Sequence, residues 1–124
     1  YVSCTMIYSV RKMQPFCGAF PVLPGKSEAA KEFAKTVASA RRREYDESLK
    51  NQGITREAWF LQTSPKGDLI VVYFEAADVK KALDLLAKSQ TPFDRWFKEQ
   101  ARAVTGVDLE QVTPPPEMIY SHDY

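Results

Sequence analysis

The sequence predicts an α+β fold of the ferredoxin-like, split β-α-β kind, with a four-stranded antiparallel sheet and its helices on one face. Three observations predict it. Ala58 to Glu75 (AWFLQTSPKGDLIVVYFE) reads as two strands around a tight turn. Helically spaced apolar residues fill the stretches before and after that hairpin. Shorter strand-like stretches lie towards both ends. The resulting order is strand, helix, strand, strand, helix pair, strand.

The hairpin organises the rest. In the turn Ser64-Pro65-Lys66-Gly67-Asp68, proline presets one backbone angle and glycine admits a positive one. The arms are aromatic and β-branched, which suits a pleated, buried surface. Alternation puts Leu69, Val71 and Tyr73 on one face and Ile70, Val72 and Phe74 on the other. Both faces are apolar, so both need cover. Helices cover one face. A second copy of the chain, packed sheet to sheet, is the expected cover for the other, which predicts a homodimer.

Taken in order, residues 1–12 read as an N-terminal extension or extra strand, and residues 13–124 as a single domain. Met13 to Leu23 is the first strand; Pro15 and Pro21 cannot donate to a ladder, so one edge should be unpaired or bulged. Pro24-Gly25-Lys26-Ser27 turns into a helix with Ser27 as its cap. It is no phosphate loop, because Phe20 stands where that motif needs glycine. Ser27 to Gln52 reads as one long helix, with Ala30, Phe33, Val37, Ala40, Tyr45 and Leu49 as its stripe. Such a helix would reach about 35–40 Å and overhang the sheet. Gly53 suits the left-handed position past its end. Asp78 caps a helix from Val79 to Ser89. Thr91-Pro92-Phe93-Asp94 starts another, which Gly106 ends. Val107 to Thr113 is a loop, and after three prolines Glu117 to His122 is the last strand.

The chain has 124 residues, 44% hydrophobic and 27% charged, with net charge +1. That balance favours one soluble core and gives no field for nucleic acid or an anionic membrane. The longest apolar run, Leu69 to Phe74, is far short of the roughly 20 residues of a membrane span. Cys4 and Cys17 make neither a disulfide framework nor a zinc site. They read as reduced thiols of a cytoplasmic protein. No metal-ligand spacing and no dinucleotide fingerprint is present, so neither metal nor cofactor is expected.

Three segments carry a resemblance: Leu23-Pro24-Gly25-Lys26, Gly53-Ile54-Thr55-Arg56-Glu57-Ala58-Trp59-Phe60-Leu61-Gln62, and Pro92-Phe93-Asp94-Arg95-Trp96-Phe97-Lys98-Glu99-Gln100. With the element order, they make the chain similar to the dimeric α+β barrel superfamily. More narrowly, it resembles a bacterial family of small single-domain proteins of unknown function. The superfamily includes antibiotic-biosynthesis monooxygenases, cofactor-free polyketide cyclases, muconolactone isomerases and haem-degrading enzymes. The resemblance implies a pocket between sheet and helices in each subunit, but no particular reaction. The histidines used by several of those enzymes have no counterpart here; the sole histidine is His122.

The site is therefore expected among polar-tipped aromatics near the overhanging helix end. Tyr45 and Tyr73 are the candidate proton donors or anchors, with His122 or Glu75 as base. Arg43 is the candidate partner for a ligand carboxylate or phenolate. Trp59, Trp96, Phe93 and Phe97 are the candidate walls for a hydrophobic or aromatic ligand. Three classes stay open: a metal-free monooxygenase-, cyclase- or isomerase-like enzyme, a binding protein without turnover, and a structural or interaction homodimer.

Overall fold

The computed structural model describes residues 12–124. The proposed extension 1–12, with Cys4, lies outside the described residues except for Lys12. The elements are β1 (Gln14–Pro21), α1 (Ser27–Ala38), α2 (Arg42–Gln52), β2 (Ile54–Gln62), β3 (Leu69–Ala76), α3 (Val79–Lys88) and α4 (Pro92–Thr105). The fold is α+β, with a three-stranded antiparallel sheet in the order β1-β3-β2. No helix among the described residues is long and apolar enough to cross a membrane.

Register decides what each face carries. Phe16, Gly18 and Phe20 of β1 lie opposite Phe74, Val72 and Ile70 of β3, and Glu57, Trp59 and Leu61 of β2 oppose the same three residues. This face meets the helices. Phe16, Ile54, Phe74 and Ala76 pack with Val79 and Ala82 of α3. Val22 and Ile70 pack with Ala30 and Val104, and Trp59 packs into a cluster around Phe33, Val37 and Phe93. The other face carries Cys17, Ala19, Ala58, Phe60, Val71 and Tyr73. There Phe60 is 60% exposed, and no element among the described residues covers it.

Strand β2 begins earlier than the sequence indicates, at Ile54, because a bulge absorbs one residue. Ile54 pairs with Ala76 but Arg56 pairs with Glu75, leaving Thr55 over. The extra residue resets alternation. Ile54 and Glu57 thus both face the helices, while Arg56 faces away.

Three expectations need correction. The single helix Ser27–Gln52 is two helices with a corner at Ser39–Arg41. The Thr36 and Ser39 hydroxyls donate to the carbonyls of Glu32 and Lys35, a side-chain competition that bends helices. The corner also lets Arg41 stack over Trp96 and Phe93, 4.4 and 5.1 Å from their ring centroids. The expected overhang is thereby lost. Ser27 is not a cap; its hydroxyl donates to Asp68 Oδ2 at 2.6 Å, tying α1 to the hairpin turn. Glu117 to His122 forms no strand, because no ladder partner lies beside it. Among the described residues the sheet has three strands, and Glu117 to His122 does not supply the expected fourth.

The remaining helix signals hold. Asp78 accepts from the Lys81 N–H and Thr91 from the Asp94 N–H. Pro92 opens α4, and Gly53 and Gly106 close α2 and α4 with positive φ. Asp94 adds more than a favourable charge. It is buried, and both the Ser48 and Ser89 hydroxyls donate to it at 2.5 Å. It thus fastens α2 and the α3–α4 turn to the start of α4. Buried Lys98 donates to the Ala87 and Ser89 carbonyls and pairs with Glu110 at 3.1 Å, holding the segment after α4 in place.

Candidate functional site

Between the helix-facing side of the sheet and helices α1, α3 and α4 lies an apolar cavity of about 100 Å³. Its walls include Phe16, Phe33, Trp59, Val72, Leu83 and Phe97. One ionisable side chain reaches it, that of Glu57. The carboxylate is there because the bulge turned residue 57 inwards. Its position opposite Phe74 puts it between apolar neighbours.

The Tyr45 hydroxyl, from α2, donates to Glu57 Oε1 at 2.5 Å. Burial raises the pKa of Glu57, because the charged form is poorly solvated; the Tyr45 hydroxyl and the Trp59 indole N–H pull it back down. Tyr45 is pushed far above an ordinary phenol, by burial first and then by the carboxylate beside it. Tyr45 therefore keeps its proton and stays a hydrogen-bond donor to Glu57. The buried Trp59 Nε1 favours the charge on the Glu57 carboxylate without closing a hydrogen bond to it.

Around this pair the aromatic rings interlock. Phe33 lies 5.2 Å from Trp59 and 5.2 Å from Phe97, and Tyr45 stacks on Phe97 at 6.3 Å. Phe93 and Trp96 belong to the same cluster but do not line the cavity. Of the expected walls, Trp59 and Phe97 are walls, while Phe93 and Trp96 support them from behind. Tyr45 reaches the site through Glu57.

The other expected residues do not converge. Arg43 is exposed on α2, beside Asp46 and Glu47. Once the helix breaks, the arginine that meets the aromatic cluster is Arg41, and Glu44 already holds it at 2.8 and 3.0 Å. Tyr73 is on the opposite sheet face, donating to Glu75 at 2.6 Å, a bond that raises its pKa. His122 is exposed in the C-terminal segment against Tyr124. It does not meet Tyr45 or Trp59. Sequence reasoning missed Glu57. The available signal was its alternation with Trp59 and Leu61, which places a carboxylate on an otherwise apolar face.

Among the described residues, no cluster of three or more His, Cys, Asp or Glu is placed to hold a metal ion. No curated protein and no solved structure matches the chain. One family model does match, over residues 13–123, nearly the whole chain. The chain belongs to that family, described as a family of unknown function (DUF6176).

Proposed function

We propose that the cavity binds a small hydrophobic or aromatic metabolite and that Glu57 moves a proton on it without a metal. The observation that carries this reading is a lone carboxyl in an apolar cavity, its pKa raised by burial. A carboxyl shifted upward in this way is a candidate general base or acid. An apolar cavity of ~150 Å³ admits benzene; this one, about 100 Å³, would take a single ring only as its walls move apart. The unused Trp59 N–H would meet an oxygen of the ligand. If that oxygen is a carbonyl, Glu57 takes a proton from the adjacent carbon and returns it elsewhere on the carbon frame. The indole N–H stabilises the charge that develops on oxygen meanwhile. Isomerase- and cyclase-like reactions share this demand.

The same reading makes the chain a ferredoxin-like subunit of a cytoplasmic homodimer of the dimeric α+β barrel type. The uncovered apolar sheet face supports the dimer, packed sheet to sheet and burying roughly 1,200–2,000 Å² in total. The exposed, free Cys17 thiol suits a reducing compartment.

The test is binding. Phenols and aryl ketones, followed by ligand-observed NMR and Trp59 fluorescence, should bind the native chain. Ala101→Leu projects into the cavity and should abolish binding while leaving the melt cooperative. Unchanged binding in that variant would place the ligand elsewhere and remove the cavity from the function.

A further inference from the structure

The C-terminal segment lacks the partner its composition asks for. Met118, Ile119 and Tyr120 are 58%, 89% and 78% exposed. Three consecutive large apolar side chains in water are unfavourable by their transfer free energy. Among the described residues, no hydrogen bond or ion pair ties 117–122 to the fold. The preceding segment is pinned by Lys98 and Glu110, and Pro114, Pro115 and Pro116 then stiffen the chain.

Among the described residues the sheet offers a matching open ladder edge: β1 has β3 on one side and no strand on the other. Pro15 and Pro21 share one parity, and a proline fits a ladder only where its missing N–H would have faced away from the neighbour. By that parity the N–H and C=O groups of Cys17 and Ala19 face away from β3. Beside them runs a groove of about 380 Å³, between β1 and the segment after α4. Phe16, Phe20, Leu83 and Leu86 give it an apolar wall. Six residues of extended chain span about 20 Å, a length that eight-residue β1 can accommodate.

We propose that Glu117–His122 of one copy adds as an outer strand to β1 of a second copy, and that the second copy does the same in return. Alternation gives the tail two faces, Met118 with Tyr120 and Ile119 with Ser121. One set fills the groove beside Phe16 and Phe20, and the other flanks Cys17 and Ala19. The inference rests on the homodimer reading above and adds an exchanged strand to it.

Sedimentation velocity and amide hydrogen exchange test it on three chains: the full chain, a chain ending at Pro116, and Ile119→Lys. The full chain should be a dimer at micromolar concentration, with the Cys17 and Ala19 amides protected. Both variants should keep the same circular dichroism. Each should raise the dimer dissociation constant at least about tenfold and lose protection at those two amides. A dimer untouched by truncation would overturn the strand exchange and leave sheet-to-sheet packing standing. A monomeric full chain would overturn both, even with the two amides protected, since the tail would then be pairing within its own chain.

Discussion

Phe33→Ala should destabilise the protein by about 3–5 kcal/mol, a large share of the stability of a domain this size. Phe33 is 7% exposed, and its ring contacts Trp59, Trp96 and Phe97 at 5.2, 5.7 and 5.2 Å between centroids. It is the point where α1, α4 and β2 meet. Truncation removes its apolar surface and three ring contacts, and the cavity next to it prevents collapse from being local. Urea denaturation followed by far-UV circular dichroism measures the loss. Phe60→Ala serves as contrast: Phe60 belongs to the same chemical class but is exposed on the other sheet face, so at concentrations where the subunits are dissociated it should change stability much less. Equal losses would mean the aromatic cluster is not the core that positions the site.

The second large effect concerns pH. Glu57 has a folded pKa above its unfolded one, so the folded state holds the proton more tightly. Between the two values the native chain binds more protons than the unfolded chain, and stability falls as pH rises. Below the unfolded pKa the contribution is constant, and above the folded pKa the loss is complete. Each pKa unit of separation is worth about 1.4 kcal/mol. Glu57→Gln keeps the shape and removes the titration. Its stability should be flat through the window where the native protein declines, so at neutral pH the variant should be the more stable. Thermal melts of both chains from pH 4 upward, on the order of one pH unit apart, check this. A native curve that rises through the same window relative to Glu57→Gln would show a carboxylate stabilised by its surroundings. That would be the opposite of the proposed site.

The hairpin, the caps at Asp78 and Thr91 and the stop at Gly106 were legible because each rests on a few neighbouring residues. Alternation in Leu69 to Phe74 showed correctly that both sheet faces are apolar. What could not be read depended on distant contacts. Apolar spacing continues from Ala30 through Tyr45 to Leu49, so periodicity gives one helix. The corner at Ser39–Arg41 follows from hydroxyls bonding back to carbonyls and from Arg41 finding Trp96, more than 50 residues away. Losing the overhang moved the site from the helix end to the space beneath the helices, and with it Arg43 and His122 dropped out. The bulge at Thr55 hid Glu57, since simple alternation from Ile54 puts Arg56, not Glu57, on the inner face. The fourth strand failed for a different reason. Glu117 to His122 has strand composition, but a strand exists only against a partner, and composition does not say whose.

The protonation of Glu57 is the centre of the functional reading, and carbon-13 NMR of its side-chain carboxyl measures it directly. The signal is assigned by its disappearance in Glu57→Gln. The account predicts a midpoint clearly above 4.5, the ordinary value for this side chain, and a further rise in Tyr45→Phe, which removes the hydroxyl that stabilises the carboxylate. A midpoint at or below 4.5 would contradict it.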